Sequence, residues 1–357
     1  QLLGARRTYV LVGVIGLAAT IITPLAPQFF QAGSLFFSLL FAQALLGFAH
    51  APIFPVFAAV IRAWFPVRQW ALANGLQTAG MLLGGAVTPL LIVVLTQFWG
   101  WQFSLLFVAI PVALVTIGWA YYGRNSPSEH GSVTAAELAE LDKSLSPNQK
   151  PSKARLLRLL GSRDILVLAL SYLSMNFVFY LVSYWSFLYL VQARHLAGIE
   201  SGLAAMVPWI GAALGASAGG VLADYLAAKL GARWGYRIIP IVSLPIVAIM
   251  LFATTHSSSA YGAVVALLIV FFAVEINEGA YWAATMSVAQ DDTATGTGVL
   301  NTGGNLGGII CQPVVAYLSG QGMWDAAFTV GIVFAIFAAI CWMLIRADRR
   351  VQLGAAR

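Results

Sequence analysis

The sequence predicts an all-α integral membrane protein built from two copies of one helical unit. Of its 357 residues 60% are apolar and only 9% charged, with a mean hydropathy of +0.84. That balance excludes an ordinary water-soluble domain. The apolar runs are much longer than the 9 to 11 residues of a membrane β-strand, so the spanning elements are helices, which satisfy their own backbone polar groups in lipid. The third observation is internal repetition. Leu3-Gly4-Ala5-Arg6 returns as Leu230-Gly231-Ala232-Arg233, with Tyr9 matched by Tyr236. Leu76, Gln77, Thr78, Gly80, Leu82, Gly84 and Pro89 likewise align with Leu300, Asn301, Thr302, Gly304, Leu306, Gly308 and Pro313. A repeat in an apolar chain is the usual signature of a transporter.

Ten segments are long and apolar enough to span. The first, 8–27, follows the Arg6-Arg7 pair; 35–61 ends at the basic step 62–68; 71–96 and 102–123 precede the one polar stretch. After it come 164–191 and 202–228, then the basic loop 229–237, then 237–254, 260–289, 294–319 and 324–346 before the basic tail. All but one of the 19 Lys and Arg residues fall in alternate connections: 1–7, 62–68, 124–163, 229–237 and the tail from Arg346. Arg194 alone lies on the other face. Cations near membrane helices stay cytoplasmic, so both ends of the chain and the middle connection are expected there. The net charge of +6 then reports topology and anionic-lipid contact, with no call for nucleic acid. Cys311 and Cys341 lie within helices and read as small apolar residues, without a disulfide.

An even number of spans separates the two repeated phrases, which makes the repeats parallel. Two helices precede the second phrase, so two are expected before the first. The expectation is a twelve-span molecule of two pseudo-symmetric six-helix bundles, with ten spans visible and the first two absent. Its domains are an incomplete four-span bundle at 1–123, a cytoplasmic linker at 124–163 and a six-helix bundle at 164–357. The linker carries Pro127, Pro147 and Pro151, and Thr134 with Glu137 at capping-box spacing predicts a short amphipathic helix near 135–145.

Ionisable groups at membrane depth point to a pathway, because a charge there costs about 2.5 to 3.5 kcal/mol on insertion scales. His50, Glu275 and Glu278 are such groups, and the repeat carries His50 onto Asn277, beside Glu278. His50 could be a neutral imidazole bonded to a neighbouring helix. Facing water, it could instead exchange a proton in the working pH range and pair with an anionic solute. Glu275 and Glu278 share a helix face, so one carboxyl could stay protonated merely to avoid like-charge repulsion. The functional expectation is that Glu278 titrates during transport.

Several motifs together carry a family resemblance: Trp64-Phe65-Pro66 with Arg68, the run Asn301-Thr302-Gly303-Gly304-Asn305-Leu306-Gly307-Gly308, the linker start from Ser126 to Val133, and Gly219-Gly220 with Asp224 and the basic residues to Arg237. With these the chain resembles major facilitator superfamily transporters, and within them the anion:cation symporter family, whose members carry organic anions such as sugar acids with protons. In that family's pattern His50 takes a place often held by glutamate, Gln43 that of an arginine, and Tyr225 that of a basic residue.

The resemblance implies proton-coupled symport of a small organic anion, a sugar acid or related carboxylate, in a cell inner (plasma) membrane by alternating access. Gln77, Asn301 and Asn305 can donate and accept without titrating, which suits hydroxyl and carboxylate recognition. Tyr180, Tyr184, Trp185 and Trp282 could stack on or bond a sugar acid, or could be belt and core residues. Gly80, Gly84, Gly85, Gly303, Gly304, Gly307 and Gly308 are expected to let helices approach closely. Arg6, Arg7, Asp224, Arg233 and Arg237 sit at two equivalent cytoplasmic loops, where ion pairs would form a gate, unless the cations only signal topology. No Lys or Arg lies at membrane depth, so a carrier or exporter of a neutral or cationic solute is the alternative, and a non-transporting membrane sensor a further one. Nothing in the sequence suggests a metal site, a cofactor or an enzymatic nucleophile with its base.

Overall fold

A computed structural model of the chain describes residues 3–141 and 153–348. Every regular element among them is helical: α1 (Gly4–Phe29), α2 (Ala32–His50), α3 (Ile53–Trp64), α4 (Trp70–Tyr122), α5 (Ala135–Glu140), α6 (Lys153–Leu160), α7 (Arg163–Gln192), α8 (Gly198–His256), α9 (Ala260–Glu275), α10 (Glu278–Ala289), α11 (Thr293–Gly320) and α12 (Trp324–Leu344). Seven stretches of the described residues are long and apolar enough to cross a membrane, making this a multi-pass membrane protein. Large apolar side chains such as Phe37, Phe41, Val115 and Ile309 remain exposed, an arrangement that suits lipid.

Some helices are longer than any bilayer requires. The 59 residues of α8 would reach roughly 88 Å if straight, against a hydrocarbon core of about 30 Å. It bends back at Gly231 (φ 76°), so that Gly235 lies against the backbone of Ala227. The 53-residue α4 breaks likewise at Gly100 (φ 81°), bringing the Thr96 and Ser104 hydroxyls to 2.8 Å. The described glycines with positive φ are Gly4, Gly100, Gly231 and Gly322. Gly4 and Gly231 belong to the repeated Leu-Gly-Ala-Arg phrase, and Gly100 and Gly322 each precede a Trp by one or two residues. A left-handed conformation costs any other residue about 1–2 kcal/mol, so the duplication survives in the backbone as well as in the side chains.

Two segments expected to be continuous are interrupted. Segment 35–61 breaks after His50, at Ala51 and Pro52, where proline cannot donate to the helical ladder. Segment 260–289 breaks at Ile276 and Asn277. Each break is followed by a helix of 12 residues, α3 and α10.

The chain divides into two compact units, one of Gln1–Trp64 with Val87–Lys150 and one of Phe65–Ala86 with Pro151–Arg357. In the first, Arg6 donates to the Ala120 carbonyl at 3.1 and 2.5 Å, and the Tyr9 hydroxyl to that of Ile53 at 2.7 Å. The expected capping box forms: the Glu137 amide donates to Thr134 Oγ1 at 3.2 Å and the Thr134 amide to Glu137 Oε2 at 2.7 Å. That amide, with the Thr134 hydroxyl, holds the exposed Glu137 carboxyl below its ordinary range. The described part of this helix is Ala135–Glu140, and the remainder expected to 145 lies outside the described residues.

In the second unit glycines set the helix spacing. A Cβ on Gly303 or Gly307 of α11 would strike the Ala169 or Leu173 carbonyl of α7, and one on Gly304 or Gly308 would strike the Tyr172 or Tyr180 ring. Gly211, Gly215 and Gly219 of α8 lie equally close to the carbonyls of Leu268, Phe272 and Ile276. The packing expectation for Gly303, Gly304, Gly307 and Gly308 is met, and Gly85 rests on Trp209. Gly80 and Gly84 depart from it, since a Cβ there would meet nothing within 4 Å. Helical spacing brings these two onto one face of α4, where a methyl group has room. The linker's α6 also joins this unit, with Arg155 3.4 Å from the buried Asp292 in the turn between α10 and α11.

Candidate functional site

The site is built around the break between α9 and α10. Asparagine competes with the helical ladder through its own side chain, and Asn277 does so here. Its Nδ2 donates to the carbonyls of Ala273 and Val274 at 2.8 and 3.0 Å, and its Oδ1 accepts from the Ser243 hydroxyl at 2.8 Å. The helix therefore ends with the carbonyls of Ala273 and Val274 still bonded. Glu275 is the last residue of α9 and Glu278 the first of α10, both buried.

Glu278 Oε1 accepts from the Tyr172 hydroxyl and from the Trp282 indole N–H, each at 2.7 Å. Trp282 reaches it from one turn along α10. Tyr172 reaches it from α7, positioned by Gly304, whose missing side chain leaves room for the phenol ring. Next to them the Tyr281 hydroxyl lies 2.6 Å from Ser171 Oγ. Glu275 Oε2 is buried with no hydrogen-bond partner.

From Glu278 a polar face continues between α7 and α11. Tyr172, Asn176 and Tyr180 recur at helical spacing, with Asn176 Nδ2 donating to the Tyr172 carbonyl at 2.9 Å. On α11, Asn305 Nδ2 donates to the Asn301 carbonyl at 2.9 Å and its Oδ1 lies 3.4 Å from the Tyr180 hydroxyl. Tyr184 stacks on Tyr180 with centroids 5.8 Å apart, and Trp185 Nε1 donates to Gln312 at 3.1 Å. The structure thus joins Tyr180 to Asn305, and Trp282 to Glu278. Asn301 and Gln77 are half-buried in their own helices, and His50 is exposed at the end of α2. Tyr172, Asn176, Ser243 and Gln312 were not singled out from sequence. The spacing of Tyr172, Asn176 and Tyr180 is the signal that could have found the first two.

The expected gate residues meet other partners than one another. Asp224 Oδ1 and Oδ2 accept from the amides of Ala71 and Leu72 at 3.0 and 2.7 Å, capping the start of α4. The reason is packing: a Cβ on Gly220 would strike the Ala71 backbone, so α4 starts directly against α8. Those amides carry the positive end of a helix and compete well for a carboxylate. The buried Arg237 donates to the Ile345 carbonyl and lies over the Trp234 ring at 5.1 Å; Arg233 lies over the same ring at 5.8 Å. Arg6 is bound to Ala120, and Arg7 is exposed. Lys229 sits 4.5 Å over the ring of Tyr225, one turn on from the place where the family's pattern has its cation. Asp224→Ala removes the cap and is expected to cost about 1–2 kcal/mol, read as a lower unfolding temperature in detergent.

Arg194, just past the end of α7, closes the end of α8. Its guanidinium donates to the carbonyls of Ser257, Thr254 and Thr255 at 2.9, 2.6 and 2.7 Å, and its Nε to the Tyr189 hydroxyl at 2.6 Å. An open cavity of about 450 Å³ beside it is lined by Tyr189, Arg194, Trp324 and Asp325.

A sequence model of the Major Facilitator Superfamily matches residues 1–310 and again 225–357. The chain is 26% identical to the "Probable sulfoacetate transporter SauU" of Cupriavidus necator over 339 residues, covering 92% of this chain and 75% of that protein. It is 24% identical to the hexuronate transporter of Bacillus subtilis over 310 residues, covering 85% and 72%. Among solved structures, the proton:xylose symporter XylE bound to 6-bromo-6-deoxy-D-glucose superimposes with a TM-score of 0.75 at 12% identity, covering 98% of this chain and 82% of that one.

Proposed function

The chain belongs to the Major Facilitator Superfamily, and from that premise we propose that it is a secondary active transporter carrying a small organic anion, a sugar acid or related carboxylate, in symport with protons. The observation that carries this reading is the polar face running along α7 and α11 to a buried carboxyl pair at a helix break. Interrupted helices at corresponding places in two repeats are where transporters of this kind bind solute and coupling ion. Relatives named for sulfoacetate and hexuronate support the anionic class.

In this reading Gln77, Asn301, Asn305, Tyr180 and Trp185 contact the solute, Trp282 orients Glu278, and His50, Glu275 and Glu278 serve proton coupling. The seven apolar stretches become nine spans once 200–256 and 260–320 are divided at their turns, and the limb of α4 before Gly100 is taken as the tenth. The bundles are 1–123 and 164–357, with 124–163 a cytoplasmic linker and both chain ends cytoplasmic in an inner membrane. Arg6, Arg7, Asp224, Arg233 and Arg237 act at the cytoplasmic gate, Asp224 through the end of α4 and the cations through carbonyls and Trp234. The reading assigns no enzymatic reaction and no cofactor.

The test is uptake into liposomes containing the full-length protein, with radiolabelled D-glucuronate and sulfoacetate as probes and D-xylose as the neutral comparison. An inward proton gradient is expected to accumulate one acid above equilibrium. The two buried carboxyls, with no Lys or Arg at membrane depth, favour a second reading in which the solute is neutral or cationic. Movement of D-xylose alone, unaffected by carboxylate competitors, would establish that one.

A further inference from the structure

The two carboxyls beside the break stand in opposite environments, and we propose that Glu275 holds the transported proton while Glu278 carries the fixed negative charge beside it. This rests on the reading of the chain as a proton-coupled transporter.

Helix polarity separates the two only slightly. Glu275 ends α9 and Glu278 opens α10. Ile276 and Asn277 keep right-handed helical dihedrals, and Asn277 already bonds the Ala273 and Val274 carbonyls, so helix polarity adds only a small bias toward charge on Glu278. Donors separate them. Glu278 Oε1 receives two hydrogen bonds, from Tyr172 and Trp282, of the kind that stabilise an ionised carboxylate. Glu275 Oε2 receives none, although the residue is only 3% exposed. A bare carboxylate oxygen in such a place costs several kcal/mol, whereas a carboxylic acid there is neutral. Finally, the residues are three apart, so two ionised carboxylates would repel within one turn. A single proton on Glu275 relieves the burial cost and the repulsion together.

The titratable groups facing the pair are Tyr172 from α7 and Tyr281 from α10, with Cys341 of α12 beyond Tyr281. From α8 the pair meets Ser243, through Asn277, and the backbone at Gly219. None of these is a cation that could neutralise Glu275. In each cycle the Glu275 O–H bond breaks when water reaches the break from the cytoplasmic side. The proton leaves on that water and the electron pair stays on the carboxylate, until a proton from the other side restores the acid.

The experiment pairs infrared difference spectroscopy across a pH jump with uptake, using the full-length protein in liposomes and D-glucuronate as probe. Glu275→Gln is expected to remove the protonated-carboxyl band and abolish proton-driven accumulation while keeping counterflow exchange. Glu275→Asp is expected to keep a shifted band and part of the accumulation. Glu278→Gln is expected to leave the band in place. If the band survives in Glu275→Gln and vanishes in Glu278→Gln, the roles are reversed and the inference falls. It falls too if sodium displaces the band and a sodium gradient drives uptake. Should Glu275→Gln fail to fold, the band shift in Glu275→Asp, set against Glu278→Gln, decides the same question. If the parent protein itself shows no gradient-driven uptake, the transport reading fails, while the infrared assignment of Glu275 is still read.

Discussion

Gly307→Val is expected to prevent the second unit from assembling. A Cβ there would fall inside the Leu173 carbonyl oxygen and 3.0 Å from the Phe177 nitrogen. Neither is the flexible end of a side chain, so α7 and α11 must separate along the contact that also holds Tyr172 and Tyr180 in place. Overpacking costs typically 1–3 kcal/mol, and a valine driven into the α7 backbone is expected at about 3 kcal/mol or above. Fluorescence-detected size exclusion after stepwise heating would show little monodisperse protein. Gly80→Ala is the matched control, because its Cβ meets nothing within 4 Å and surface changes usually stay within about 0.5 kcal/mol. Equal damage from both substitutions would mean that the glycines do not act through the α7–α11 contact.

Trp282→Phe is expected to lower proton-driven uptake of the acid probe by about tenfold or more, since a hydrogen bond to a charged group contributes about 1.5–3 kcal/mol. An aromatic ring remains, but the indole N–H to Glu278 is lost together with part of the buried ring volume. Tyr172→Phe removes the other donor to the same oxygen and is expected to act in the same direction. Because both donors serve one carboxylate, the double variant should fall short of the sum of the two, as groups in one network do. Uptake unchanged in both single variants would remove Glu278 from the mechanism.

How much of this was legible depends on how local each signal is. The helices follow from hydropathy, which acts residue by residue. The turns at Gly4 and Gly231 were visible as a repeated phrase, although nothing in the letters said that the repetition marked a left-handed backbone. The break at Ile276 and Asn277 was hidden, since both residues sit inside an apolar run that reads as one continuous span. Tyr172 was hidden for another reason: a tyrosine in an apolar helix looks like core, and only its distance to Glu278 makes it a donor. Asp224 stood out as an acid among bases, which is why ion pairs were expected. Its partners are backbone amides some 150 positions away, and backbone amides carry no sequence signature.

The four left-handed glycines also bear on how the chain is made. Gly100 and Gly231 each turn the chain back within a residue or two, so the segments on either side meet as soon as both have emerged from synthesis. Such neighbours can pair as a hairpin, with little polar backbone between them left to satisfy. A side chain at Gly231 would then act already at that early step, when no tertiary packing yet compensates its strain. Its mark would be less protein reaching the membrane, with the molecules that do arrive melting below the parental temperature because the same strain persists in the fold.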